Sequence, residues 1–222
     1  MIRRVYEQAS ESDADTVCVA TDDARIADEV ESFGGRVTMT GLGHPTGTDR
    51  IFEAASLIGL SDDDIIVNVQ GDEPLIPPSV INKVAAMIDS NVQISTLCEL
   101  IVAPDEVFDP NVVKVVADAN DIALYFSRAP IPWSRDRFGS RSIPDGISWY
   151  RHLGIYAYTA AMLARFVTWG PAPLEEAEKL EQLRALSNGE KIKIAISPEK
   201  IPPGIDVPGD VERTLKVLKE GK

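Results

Sequence analysis

Two carboxylates stand where a buried strand runs out. The apolar run Ile65-Ile66-Val67-Asn68-Val69 leads directly into Gln70-Gly71-Asp72-Glu73-Pro74, and in open α/β sheets ligands bind beyond the carboxyl ends of the strands. Gly71 permits close backbone approach to a ligand, and Asp72 suits Mg2+, a hard cation that prefers carboxylate oxygen. An acidic surface turn is the competing reading. Asp206, in Ile205-Asp206-Val207-Pro208, sits just before a predicted helix. Alone it reads as an N-cap. Paired with Asp72, which also precedes a helix of the same predicted sheet, it suits a shared metal.

A third segment, Thr46-Gly47-Thr48-Asp49-Arg50, follows a predicted strand and opens a helix. Its free backbone N–H groups and Arg50 suit a phosphate or a polar ligand edge, with a plain capping turn as the alternative. Neither the GxGxxG fingerprint of dinucleotide folds nor a P-loop is present. Histidine occurs only at His44 and His152. The two-residue period of a strand puts His152, Gly154 and Tyr156 on one face beside Arg151, a face suited to a hydroxylated acid. A hydrogen-bonded, half-buried histidine is the plainer reading. Glu181-Gln182 borders the apolar stripe of a long predicted helix, on which Glu175 and Glu176 read as a solvated face.

The elements that must position these groups follow from hydrophobic period. Ile2, Val5, Tyr6 and Ala9 predict an opening helix, and Thr16 to Thr21 a short buried strand. A helix through Ile26, Ala27, Val30 and Phe33, a strand from Arg36 to Thr40, a helix through Ile51 to Ile58 and the strand Ile65 to Val69 follow. A helix from Ser79 to Ile88 and a strand from Gln93 to Leu100 continue the alternation. Strands alternating with amphipathic helices predict an α/β, doubly wound, mostly parallel sheet. From about Val112 the pattern becomes β-rich, with Asn120-Asp121 as the turn of an antiparallel hairpin, so the sheet is expected to be mixed. Residues 129 to 149 read as a long loop. A strand over YRHLGIYAY and a helix over TAAMLARFVTW come next. One helix over PLEEAEKLEQLRALSNGEK carries Leu174, Ala177, Leu180 and Leu183 inward and stops at Ser187-Asn188-Gly189. The strand KIKIAIS and a helix from about Pro208 with a Val211, Leu215, Leu218 stripe close the chain.

Composition narrows the function classes. The 222 residues, 44% apolar and 26% charged, fit a globular α/β chain and are read as a single domain. No apolar run approaches the roughly 18 residues of a membrane span, and no secretion signal is visible, so a cytoplasmic location and no membrane partner are expected. Cys18 and Cys98, each within a β-like run, read as core thiols. A net charge of −13 disfavours a nucleic-acid partner but leaves an anionic small molecule open, since a few cationic groups and a divalent metal can screen it locally.

Taken in order, TGTDR, VNVQGDEPLIP, DPNVVKVV, ALYFSRAPIPWSRDR, RHLGIYAY, PLEEAEKLEQLRAL, NGEKI and GIDVPGD resemble the 3-deoxy-manno-octulosonate cytidylyltransferases, or CMP-Kdo synthetases, along the whole chain. The resemblance implies a Rossmann-like nucleotidyltransferase fold and a bacterial enzyme that joins the sugar acid Kdo to CTP. The products are pyrophosphate and CMP-Kdo, the latter for lipopolysaccharide biosynthesis. It also implies Mg2+ and a homodimer, with a β-rich dimerisation region at about 112–160. Carried over by position, Asp72 and Asp206 become the metal-binding carboxylates, while Gln70 and Thr46, Gly47, Thr48 and Arg50 become part of the nucleotide site. His152, Tyr156, Glu181 and Gln182, with Arg128, become the Kdo-binding set. These residues permit direct displacement at the α-phosphorus of CTP, with no covalent protein nucleophile.

The family pattern begins with a strand and a cationic loop that wraps the triphosphate, whereas Met1-Ile2-Arg3-Arg4-Val5 matches the helix after that loop. Poor activity and poor stability of the 222-residue chain are therefore expected, and a truncated sequence is the simpler explanation. Two alternatives stay open. One is a cytidylyltransferase for another acidic sugar, such as an amino-substituted Kdo. The other is a catalytically silent subunit that binds the sugar acid without CTP.

Overall fold

In the computed structural model, residues 1–135, 138, 146–202, 204–205 and 207–220 are described. They form two compact units, one of Met1–Ser61, Val67–Lys83 and Pro198–Lys222, the other of Asp62–Ile66 and Val84–Ser197.

The first unit opens with α1 (Ile2–Ser10), whose helical spacing buries Val5 and Ala9. The strands β1 (Val19–Thr21) and β2 (Val37–Met39) pair in parallel, Val19 opposite Val37 and Thr21 opposite Met39. Between them runs α2 (Ala24–Ser32), started by Asp23, whose carboxylate accepts from the Arg25 N–H at 2.8 Å. Next come α3 (Gly47–Ile58) and the first turns of α4 (Pro78–Ala85), which buries Val80 and Ile81. The helix α9 (Pro208–Glu220) forms where Pro208 predicts it, but two residues of its expected apolar stripe are not on its buried side, and the side chain of the third, Leu218, lies outside the described ones. Val211 and Leu215 are 41% and 46% exposed while Thr214 is buried.

In the second unit a mixed sheet runs in the order β6-β5-β7-β4-β8, with β3 (Ile65–Asn68) also pairing with β7. Its strands are β4 (Ile94–Leu100), β5 (Lys114–Ala117), β6 (Ala123–Ser127), β7 (Tyr150–Thr159) and β8 (Ile192–Ile196). β4 and β8 are parallel, whereas β7 is antiparallel to both β4 and β5. The expected hairpin is β5–β6, turned at Asp121 in a left-handed conformation. The sheet buries Ile94, Leu97, Phe126 and Ile192, and α6 (Ala160–Phe166) buries Met162 and Leu163. Cys98 is buried here, where desolvation pushes its thiol up to about 11; Cys18, in the first unit, is only half-buried.

One expectation for this unit is corrected. The long helix over PLEEAEKLEQLRAL is instead two short ones, α7 (Pro173–Glu178) and α8 (Gln182–Ser187). Lys179 breaks them apart with a left-handed φ of 54°, a local cost that burial of Leu180 and Leu183 outweighs. The expected loop 129–149 ends inside the core: Trp149 is fully buried with Ile101, Val107 and Phe138, and its indole N–H donates to the Pro132 carbonyl at 2.8 Å. Residues 136–137 and 139–145 of that segment lie outside the described residues. The short helix α5 (Pro104–Phe108) joins this cluster through Val107 and had no clear sequence signal.

Candidate active site

In the first unit, the turn after β3 meets the segment before α9. Ile205 N–H donates to the Asp72 carbonyl at 2.9 Å. Gly204 passes so close that a Cβ there would stand 3.1 Å from the same oxygen, so any side chain would push this backbone apart by a few tenths of an ångström. Segments distant in sequence thus meet at one turn. Asp206 itself lies outside the described residues. Beside Asp72, burial and the Asp72 charge push the Glu73 carboxyl up to about 7. Carboxylate oxygens are hard donors that suit a divalent cation. Among the described residues no cluster of three His, Cys, Asp or Glu side chains forms a metal cage. Oxygen sites of one or two carboxylates completed by substrate phosphates are the usual arrangement for Mg2+. Gln70 is exposed, its amide donating to Asn68 Oδ1 at 3.4 Å.

The loop before α3 is held by its own helix. Glu53 accepts from Gly41 N–H at 2.9 Å and pairs with His44 Nε2, and these two partners, in that order, hold its carboxyl below the usual range. Thr46 caps α3, accepting from Asp49 N–H at 3.3 Å and donating to Asp49 Oδ2 at 2.7 Å. Gly47 is exposed and Thr48 buried. Arg50 is already engaged: it donates to Thr40 Oγ1 at 2.7 Å and to Asp22 Oδ2 at 2.8 Å. It therefore ties the ends of β1 and β2 to α3, and any ligand must compete with Asp22 for it.

The second unit assembles the other group. His152 and Tyr156 share a face of β7, but not through plain alternation. Opposite β4, Thr96 pairs with Tyr156 and Leu97 with Leu153, so Gly154 and Ile155 are extra residues in a bulge. A straight strand would hold residues four apart at about 13 Å. Here the two ring centroids are 5.3 Å apart. Tyr156 stacks on Tyr158 at 5.7 Å, and Phe126 meets the His152 ring edge-on at 5.0 Å. This enclosure drives the His152 pKa down to about 3, so the imidazole is neutral. Burial, then the charges of Tyr158 and Glu181, raises the Tyr156 hydroxyl well above its ordinary value. Glu181 is therefore close to these rings.

Tyr156 Oη and Gln182 Nε2 are buried with no hydrogen-bond partner among the described residues. Buried polar atoms are almost always paired, so two orphans on one predicted ligand face point to a missing polar ligand. Arg128 is a strut in this structure. Its Nε donates to the Glu178 carbonyl at 2.7 Å, Nη1 to Pro110 at 2.9 Å and Nη2 to Lys179 at 3.4 Å.

Sequence reasoning missed three groups. Glu175 is not solvated: it is buried in a two-point ion pair with Arg184, at 2.9 and 2.5 Å, and also accepts from Ala172 N–H at 3.0 Å. Lys114 is fully buried and donates to the carbonyls of Asp109, Val112 and Arg128. Thr96 is fully buried between His152 and the bulge. Nothing in the strand Ile94–Leu100, which also carries Ser95 and Glu99, singled out Thr96.

The architecture is that of a nucleotidyltransferase. A nucleotidyl transferase from Methanothermobacter thermautotroptrophicus shares the fold across 100% of this chain and 81% of its own, with a TM-score of 0.60 at 12% identity. A cytidylyltransferase family model matches residues 1–192. The 3-deoxy-manno-octulosonate cytidylyltransferase of Saccharophagus degradans is 54% identical, covering 99% of this chain and 88% of its own. That of Alcanivorax borkumensis is also 54% identical, over 96% and 86%. A solved CMP:2-keto-3-deoxy-manno-octonic acid synthetase complexed with CTP superimposes with a TM-score of 0.90 at 34% identity, over 100% of this chain and 88% of its own. This chain belongs to the 3-deoxy-manno-octulosonate cytidylyltransferase family.

Proposed function

We propose that the protein transfers the cytidylyl group of CTP to 3-deoxy-manno-octulosonate, releasing pyrophosphate and forming CMP-Kdo for lipopolysaccharide biosynthesis. The observation that carries the reading is the pair of buried, unpartnered atoms, Tyr156 Oη and Gln182 Nε2, beside a neutral His152. Together with Glu181 they offer a hydroxyl, an amide, an imidazole and a carboxylate, a set matched to the several hydroxyls of a sugar acid. Arg128 would lend the acid group a positive field from its carbonyl-anchored position.

The nucleotide falls to Gln70, Thr46, Gly47, Thr48 and Arg50. Asp72 and Asp206 would hold Mg2+, which when bound supplies charge neutralisation for the phosphates. The anomeric hydroxyl of Kdo attacks the α-phosphorus, a new O–P bond forms, and the bond to the bridging oxygen of pyrophosphate breaks in line. The hydroxyl proton passes to solvent. Phosphoryl transfer asks the protein chiefly to position groups and balance charge, which agrees with a site that offers no activated nucleophile. A homodimer in the cytoplasm completes the reading. Among the described residues no helix is long and apolar enough to cross a membrane.

Pyrophosphate release from CTP, measured with Kdo and with a panel of other 2-keto sugar acids, tests the proposal. Kdo-dependent release that falls at least a hundredfold in Asp72→Ala is expected. No release with Kdo, or equal release with every acid, refutes it.

A further inference from the structure

Thr96 lies on β4 at the register slip opposite β7 and is fully buried. Its single hydroxyl is within hydrogen-bond distance of three groups, the Ile155 carbonyl at 2.7 Å, the Leu153 carbonyl at 3.1 Å and His152 Nε2 at 3.0 Å, and the Tyr156 hydroxyl, which can also donate to it, lies close enough to feel it. A threonine hydroxyl has one proton to give and two lone pairs to receive with. Both carbonyl oxygens can only accept. Were the proton turned to His152, two carbonyl oxygens would face the lone pairs of Oγ1 with no hydrogen between them. The proton therefore goes to the carbonyls, chiefly that of Ile155, and the remaining contact is satisfied only if His152 Nε2 carries a proton and donates.

We infer that Thr96 is a positioning residue. Its hydroxyl pins the β7 bulge that brings His152 beside Tyr156, and it fixes the imidazole as the Nε2–H tautomer with Nδ1 as an acceptor. The inference rests on the proposed sugar-acid role of this face and specifies it. His152 receives a hydrogen bond from a hydroxyl of the ligand, rather than offering a positive charge to its carboxylate. Low occupancy of the imidazolium form agrees with this, since Phe126 and Tyr156 enclose the ring and, among the described residues, no carboxylate is bonded to it. The bulge matters as much as the tautomer. Leu153 and Ile155, whose carbonyls Thr96 gathers, flank Gly154, and Gly154 and Ile155 are the two extra residues of the bulge.

The test uses the full chain with nitrogen-15 histidine. Only His44 and His152 contribute signals, and a His44→Gln sample assigns them. Wild-type protein and Thr96→Ser should show a pyrrole-type Nε2 and a pyridine-type Nδ1 at His152 near neutral pH. Thr96→Val, which keeps the shape and removes the hydroxyl, should show a tautomer mixture. It should also raise KM for the sugar acid roughly tenfold with little change in kcat, the loss of one aligned hydrogen bond, and Thr96→Ser should restore it. A wild-type His152 protonated at Nδ1 overturns the inference without any variant, and so does a Thr96→Val spectrum like wild type. Wild-type protein that turns over the sugar acid, with Thr96→Val equal to it in KM, overturns the positioning role while leaving the proposed function intact. The predicted tautomer shift in a protein that binds no sugar acid refutes the proposed function instead.

Discussion

The Glu175–Arg184 pair lends itself to a quantitative test because its surroundings are closed. The side chains are 12% and 7% exposed, bonded at two points, with Glu175 also holding the first N–H of the α7 cap. The Arg184 guanidinium lies 4.8 Å over the Phe166 ring. Burial by itself would push the Glu175 carboxyl up, but the hydrogen bonds from Arg184 and Ala172 outweigh it and hold it low. Glu175→Gln removes the charge behind both short hydrogen bonds, leaving the buried Arg184 guanidinium with the more distant Glu181 carboxylate at 4.0 Å, which costs about 3 kcal/mol. Replacing both partners, as in Glu175→Gln with Arg184→Met, removes the buried guanidinium and leaves only the partly exposed Glu181 carboxylate without its 4.0 Å partner, so the double variant should be less destabilised than the single one. Urea unfolding near neutral pH, followed through Trp169, which contacts Phe166 at 5.8 Å, measures all forms. Because the folded carboxyl is held low, its contribution is full above its unfolded value near 4.5 and fades as pH falls through the folded one. The Gln substitution should therefore cost less in acid. A single substitution costing under about 1 kcal/mol, or a double variant as unstable as the single, refutes this account. The pair also fixes the start of α8, so KM for the sugar acid should rise in the single variant.

Lys114→Met should destabilise by about 3 kcal/mol in the same urea assay, because the carbonyls of Asp109, Val112 and Arg128 each lose a donor worth about 1 kcal/mol; a neutral result would mean that water replaces the ammonium. In metal-free protein, Glu73 has a folded pKa raised to about 7 from 4.5. Its contribution to stability is therefore full below pH 4.5 and lost as pH rises through 7. Glu73→Gln should flatten that decline in a pH series of thermal melts, and an unchanged slope would exclude Glu73 as its source.

Much of this molecule was legible from local pattern. The period of α1 buries Val5 and Ala9, Asn120-Asp121 makes the β5–β6 turn, and the strand into Gln70-Gly71-Asp72 ends at a turn that the Gly204-Ile205 segment meets. Such features are set by neighbours in sequence, so spacing and turn chemistry are enough to find them. The division of PLEEAEKLEQLRAL was not legible, because helical spacing continues through Lys179 and only packing of Leu180 and Leu183 makes the left-handed residue worthwhile. Glu175 looked like a solvent-facing charge until a partner nine residues along the chain folded onto it.

The sequence by itself determined which chemical groups are available and which end of each strand they leave from, since hydrophobic period and chain direction are properties of the linear pattern. Only the tertiary structure decided that His152 and Tyr156 would sit ring against ring, because a bulge exists only relative to a partner strand. It likewise decided how Arg50 and Arg128 spend their donors: a guanidinium binds whichever oxygens the fold brings within reach, and those oxygens come from residues far away in the chain.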